Sequence, residues 1–333
     1  MISHTLHQPL TVRSLLERAW RFNRLLTLSI LLNLALIPVV LAAALLDPVQ
    51  ITGVNGWIKP LKFTISVAIY CSTFLWLLTY VRRGRRWVGA VASVTGLMLI
   101  LEIGLILMQV IRRTGSHFNT ATPIDSAVFS AMGAMITLLA LMNLVAAIWL
   151  SLQKMEDPVF AAGVRWGVWL SFAGMIIAFL MTTPTAAQLA NAQSGAPMTL
   201  TGAHSVGVAD GGPGLPVLGW STVAGDLRVA HFVGLHALQV LPLLGWWLSR
   251  GRYAAELSAG RRAMLVRLAG LTYLGLLALL TWQALRGQSV VAPDGLTLAV
   301  ALLLFGSSAL LTLLLMRRPR TQLQPGTLTT GAD

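Results

Sequence analysis

Charge and thiol are what this chain has least of. Its 333 residues include one cysteine and only 11% charged residues, against 56% hydrophobic residues and a mean hydropathy of +0.75. So little charge cannot solvate a globular surface, and so much apolar content excludes disorder. The single thiol, Cys71, lies inside an apolar run; it cannot close an internal disulfide or build a cysteine-based metal site, and it reads as a small core residue. Nucleotide and hydrolase signatures are missing too. Asp210-Gly211-Gly212-Pro213-Gly214-Leu215-Pro216 lacks the G-x-G-x-x-G order, the preceding strand and the following helix, and Ser221 has no G-x-S-x-G elbow around it. The net charge of +13 is no nucleic-acid footprint, because the 24 Lys and Arg fall in short bursts at the ends of apolar runs. No nucleic-acid partner is expected.

What is present is hydrophobic length. A membrane span needs about 20 apolar residues, and such runs occupy 25–46, 61–81, 87–111, 126–152, 161–183, 229–249, 263–285 and 295–316. The expected fold is all-α: a polytopic membrane helix bundle of eight transmembrane helices over 25–316. The first run follows 24 residues and is longer than the ~7–15 residues of a signal-peptide core, so it is expected to stay as a span. Ahead of it, Val12, Leu15, Leu16, Ala19 and Phe22 recur at helical spacing, with Arg13, Glu17, Arg18, Arg21 and Arg24 largely off that stripe. Residues 1–24 therefore read as a cytoplasmic amphipathic helix lying on anionic membrane lipids. Residues 317–333 read as a disordered cytoplasmic tail. With both termini inside, eighteen of the 24 Lys and Arg are cytoplasmic and six are outer, which supports N-in, C-in. The outer loop 184–228 is the only substantial extramembrane piece, with eight glycines, four prolines and three charges. Its turn formers suit a tightly folded lid over spans two, three and six.

A 4+4 parallel repeat is suggested by like span ends. Met108-Gln109-Val110-Ile111-Arg112 closes the third span and Trp282-Gln283-Ala284-Leu285-Arg286 the seventh. Four spans per half would give both halves one orientation, related by an axis along the membrane normal.

Residues capable of chemistry gather on the outer half, and the inner half offers chiefly Asn33 and Asn143. Glu102 stands out, because an ionisable group in a span costs several kcal/mol unless a partner or a wet cavity receives it. At ~1.5 Å per residue, Glu102 lies roughly 13 Å below the outer end of its span and His236 roughly 12 Å below the outer end of the sixth. That shared depth makes them the expected acid and base. Lys59, Lys62, Arg228, His231, Gln239, His117 and Asp226 are the expected substrate-binding residues. His231 and His236 lie about 140° apart on their helix, so a metal would need one of them plus loop groups such as His117, His204, Asp125, Asp210 or Asp226. A metal is compatible with the sequence but not specified by it. Haem is not expected, since no other span carries a histidine within its apolar run.

Asn55-Gly56-Trp57-Ile58-Lys59-Pro60-Leu61-Lys62-Phe63, Asp210 to Thr222 and Asp226-Leu227-Arg228-Val229-Ala230-His231-Phe232 together resemble an uncharacterised group of bacterial multi-pass inner-membrane proteins. The resemblance covers about a tenth of the chain. It implies a bacterial inner-membrane setting and carries no activity. Three functions compete on these grounds. One is an outward-facing intramembrane site that binds or modifies a lipid-like or small anionic substrate. The others are a secondary transporter, proton-coupled through Glu102, and a non-catalytic partner or sensor subunit read through its outer loop.

Overall fold

A computed structural model describes residues 11–317 of the chain; the expected tail beyond 317 and the first ten residues of the expected N-terminal helix lie outside them. Among the described residues, eight helices are long and apolar enough to cross a membrane. They are α2 (Arg24–Leu46), α3 (Ile58–Leu78), α4 (Arg85–Ile111), α5 (Pro123–Leu152), α6 (Pro158–Met181), α8 (Leu227–Leu248), α10 (Ala259–Leu285) and α11 (Gly295–Met316). The chain is an integral, multi-pass membrane protein of the all-α class. Short elements fill the connections: α1 (Val12–Phe22), α7 (Ala186–Gln193), α9 (Gly251–Glu256) and the two-residue strands β1 (Gln50–Ile51), β2 (Val54–Asn55), β3 (Ser205–Val206) and β4 (Gly225–Asp226). β1 pairs with β2 and β3 with β4, both antiparallel.

Several helices begin a few residues before their apolar runs, because capping rather than hydrophobicity starts a helix. Thr122 and Asp157 cap α5 and α6 ahead of a proline, whose missing N–H costs nothing in a first turn. Asp226 and Ser258 cap α8 and α10 in the same way. The corner between α1 and α2 turns on Asn23, whose Oδ1 accepts from the Leu26 N–H while Nδ2 donates to Gly89 O at 3.0 Å and Ser93 Oγ at 2.8 Å. Val12, Leu15, Leu16 and Trp20 of α1 remain exposed, as an apolar face meant for lipid would be.

Alternating helices leave two ends. One is basic, and there Arg82 meets Glu156 and Arg261 meets the Arg317 carbonyl. The other, the loop end, gathers the α2–α3, α4–α5, α6–α8 and α10–α11 connections. Within the bundle α2 packs on α3 and α4, α3 on α4, and α4 on α5; likewise α6 packs on α8 and α10, α8 on α10, and α10 on α11. The two sets meet where α5 touches α6 and α3 touches α8. The α6/α8 seam is the tightest. A Cβ on Gly174 would sit 2.7 Å from the Gly234 backbone, and one on Gly163 2.3 Å from the Leu241 carbonyl, so only glycine lets these backbones approach.

The α4–α5 and α10–α11 corners are built alike. Gln109 Nε2 donates to Gly115 O and Gln283 Nε2 to Ser289 O, six residues on in each case. Arg113 and Gly287 take left-handed φ values of 59° and 73° one residue past the Arg. Arg112 then pairs with Asp125 at the start of α5, and Arg286 with Asp294 at the start of α11.

Candidate functional site

The expected lid is folded, not open. Loop 184–228 carries α7, β3 and β4, and its strand of contacts runs over the loop end of the bundle. Thr120 N–H donates to Thr199 O, Thr201 N–H to Phe118 O, and Ala203 N–H to Met181 O. Gly211 rests on the turn of the β1–β2 hairpin, where a Cβ at Gly53 would come within 2.7 Å of its carbonyl. Further along, Lys62 Nζ donates to Leu218 O at 2.8 Å and the Arg228 guanidinium reaches Gly219 O.

Beneath this lid lies a chain of ionisable groups. Lys59, in the first turn of α3, places Nζ 3.1 Å from His117 Nδ1, and Ser116 Oγ lies 3.0 Å from the same nitrogen. Lys59 is a donor only, so Nδ1 accepts and the ring proton sits on Nε2. That Nε2 lies 3.7 Å from Glu102 Oε1. Glu102 is only 5% exposed, and its Oε2 is buried with no hydrogen-bond partner. His117 belongs to the α4–α5 loop; burial, the Lys59 charge and His204 hold its pKa well below the usual 6.5, so the ring is neutral at pH 7. Next to it, His204 Nδ1 meets Asp210 Oδ2 at 2.6 Å, and the Asp210 carboxylate also accepts from the His204 and Ser205 N–H groups. Burial opposes ionisation of Asp210, but these hydrogen bonds outweigh it and hold its carboxyl below the usual range. Burial lowers the His204 pKa despite Asp210.

The expected site residues divide between this cluster and its surroundings. Asp226, buried at the α8 N-cap, takes a two-point contact from Arg228, with Nε 2.9 Å from Oδ1 and Nη2 2.6 Å from Oδ2. It thereby aims the guanidinium at the lid. His231 is spoken for: its Nδ1 lies 2.7 Å from Gly174 O across the α6/α8 seam. The expected pairing of Glu102 with His236 is not formed. Among the described residues no hydrogen bond or ion pair joins them; His236 is exposed on the outside of α8, 3.3 Å from Gln239 Oε1, and Gln239 reaches Thr73 of α3. Equal depth does not set equal rotation about the helix axis, and packing on α6 turns His236 outward. The imidazole at Glu102 is that of His117.

Ser116 and the His204–Asp210 pair carry no periodic signal. Their only trace in the sequence is polar and turn-forming residues clustered in two loops that flank the third and sixth spans. Among the described residues no three His, Cys, Asp or Glu side chains converge as a metal site would require. A second hub lies beside the cluster: Asp125 Oδ1 receives Gln109 at 3.0 Å and Arg112 at 2.7 Å, while Thr122 donates to Oδ2 at 2.6 Å. This hub is satisfied and structural. No protein-family model, curated protein or solved structure matches the chain, so the site is read from its own geometry.

Proposed function

We propose that the chain sits in a bacterial inner membrane with its basic end cytoplasmic, and that its loop end is an extracytoplasmic, proton-handling site for a small anionic or lipid-like substrate. The observation that carries this reading is the Lys59–His117–Glu102 chain, with a buried carboxylate oxygen left unpartnered beneath a folded lid. A buried, unsatisfied carboxyl within a span is costly and is kept for use rather than for stability. Glu102 and His117 serve as acid and base, one giving a proton as the other takes it, while Lys59, Lys62 and Arg228 attract the anion.

Two like-oriented halves, α2–α5 and α6 with α8, α10 and α11, frame the site. The repeat is supported by the matching packing order and the matching Gln-x-x-Arg corners. It is supported also by Gly56, Ile58, Lys59, Lys62 and Phe63 standing in register with Gly225, Leu227, Arg228, His231 and Phe232. On that register Lys59 and Arg228 are equivalent cations, one in the first turn of α3 and the other in the first turn of α8.

The test is a thermal-shift panel of small carboxylates, phosphates and lipid headgroups on the detergent-solubilised chain. A compound that stabilises the wild type is expected to lose its effect in Glu102→Gln and His117→Gln, both retaining the wild-type melting profile when no ligand is added. Full response in both variants rejects the reading. Proton-coupled transport is the second reading, favoured by the buried, unpartnered Asn33 Oδ1, Thr95 Oγ1 and Asn143 Oδ1 in the same half as Glu102. Uptake into proteoliposomes that ignores both a proton gradient and Glu102→Gln rejects that version. A partner or sensor subunit fits less well, since the loop is folded against the bundle and stitched to its neighbours.

A further inference from the structure

At the basic end, the turn between α5 and α6 meets α6 and α10 around a cavity of about 210 Å³. Three cations line it, Lys154 from the turn, Arg165 from α6 and Arg267 from α10, and no carboxylate does. The nearest acids are engaged elsewhere. Asp157 Oδ1 caps α6 by accepting from the Val159 and Phe160 N–H groups, and Glu156 is paired with Arg82 at 2.8 Å. Among the described residues, Lys154 and Arg267 make no side-chain hydrogen bond or ion pair, and Arg165 makes one long contact of 3.4 Å to Gln153 O. Three exposed cations around one hollow, with no carboxylate among them, offer an anion three unclaimed charges to bind.

The walls say which anion. Arg165 lies about 10 Å and Arg267 about 12 Å along their helices from the basic end, at the depth where phospholipid headgroups give way to acyl chains. Each heads an outward apolar stripe. Trp169, Ile176 and Leu180 follow Arg165 on α6 and are exposed; Leu271, Leu274 and Trp282 follow Arg267 on α10 and are exposed likewise. Trp166 forms part of the cavity wall and packs against Gly270, where a Cβ would lie 2.4 Å from the indole. A soluble anion would use the cations and leave both stripes idle, whereas a phospholipid uses both.

We propose that this cleft is a binding site for one anionic phospholipid. Its phosphodiester lies between the Arg165 and Arg267 guanidinia, with Lys154 above, and its acyl chains run along the α6 and α10 stripes. A headgroup that carries its own cation, such as the quaternary ammonium of choline, neutralises the phosphate and gains less from three cations, so the site prefers phosphatidylglycerol to phosphatidylcholine.

The full chain, purified in a neutral detergent, is melted with added dioleoylphosphatidylglycerol, with dioleoylphosphatidylcholine, or with inorganic phosphate. The expected result is a saturable rise of about 5 °C with the anionic lipid alone. Arg165→Gln/Arg267→Gln should melt like the wild type in detergent and lose that rise, while Arg86→Gln, a cation removed elsewhere at the same end, should keep it. An equal rise with phosphatidylcholine or with phosphate overturns the proposal, as does a rise that survives in the double variant. Should the double variant not fold, native mass spectrometry of the wild type decides. One retained anionic lipid per chain, competed away by phosphatidylglycerol but not by phosphatidylcholine, supports the site, and its absence overturns it.

Discussion

The halves α2–α5 and α6–α11 share one packing order but differ in what fills it. In the second, glycine brings backbones together: Gly163, Gly167 and Gly174 of α6 meet Leu241, Pro242 and Gly234 of α8 at distances that leave no room for a side chain. In the first, a single glycine, Gly96, meets the Leu25–Leu26 backbone as closely; elsewhere larger side chains such as Phe74, Leu77, Leu78 and Leu150 make the core, and buried polar atoms of Asn33, Thr95, Glu102 and Asn143 go without partners. Ser171 is the second half's counterpart among the described residues. A backbone-to-backbone seam is rigid because nothing in it can change rotamer, while unsatisfied polar groups are poised to accept a proton, a water or a ligand. On the proposed function the second half is the scaffold that also supplies the lid and Arg228, while the proton-handling Lys59, Glu102 and His117 belong to the first.

The heaviest blow to this contrast falls on the seam. Gly174→Val would drive branched carbons into the Gly234 backbone, which cannot move aside, and should cost about 3 kcal/mol or abolish folding. By contrast Gly104 and Gly133 of the first half have no atom within 4 Å of a built Cβ, so alanine there should leave the melting temperature in detergent within about 2 °C. Equal sensitivity in both halves would erase the distinction.

Next come the two corners. Asp125 is a buried hub with its side chain 5% exposed, while Asp294 in the matching corner is 39% exposed. Asp125→Ala leaves Arg112 and Gln109 facing an empty space and should cost about 3 kcal/mol. Asp294→Ala should cost clearly less, because water takes the place of the lost partner. Heat unfolding of both variants measures the ordering, and a reversed order would show that the corners are not equivalent parts of a repeat.

How far the sequence alone could reach follows the same physics. Each span was legible because lipid demands a long apolar run whatever surrounds it. Helix starts were read late at Pro123, Pro158, Leu227 and Ala259, where a polar cap and a first turn precede the hydrophobic run. Glu102 was visible as a lone carboxyl in hydrocarbon, but its partner was not. Depth can be counted along a helix, whereas rotation is set by neighbours, and His236 is turned outward by the seam that α6 and α8 form. His117 reaches the site by a loop reversal at Arg113 and Phe118, both at left-handed φ, and such turns at non-glycine residues leave no pattern to read. The likeness of the two corners was legible in one motif, Gln-x-x-Arg, because a helix end and its salt bridge need named residues, while the intervening apolar positions tolerate many.

Acid should loosen the loop end of the bundle. Both His117 and His204 have pKa values held below 6.5, chiefly by burial. The folded state therefore binds fewer protons than the unfolded chain, and stability rises with pH through this window. The contribution is complete above the ordinary histidine value and is lost as pH falls below it toward the folded values. Melting temperature is expected to fall between about pH 7 and about pH 5, and the double variant His117→Asn/His204→Asn should flatten the slope. Asp210, ionised throughout that range, adds none. A slope unchanged in the double variant would place the acid-sensitive groups elsewhere.

The smallest effect expected is the most telling about the first half. Asn143 donates to the Tyr70 hydroxyl at 3.0 Å but leaves Oδ1 buried and bare. Replacing both partners, Asn143→Leu with Tyr70→Phe, removes the hydrogen bond and the unsatisfied acceptor without orphaning the hydroxyl, so the net change in stability should lie within about 1 kcal/mol in either direction. A pair kept only as helix glue would show a clear loss on that double substitution. If the melting temperature holds while proton-driven uptake into proteoliposomes collapses, Asn143 and Tyr70 are retained for passage and the polar interior below Glu102 is a route. If both hold, the first half does its chemistry from the loop end alone, and transport gives way to an acid–base site served from one side of the membrane.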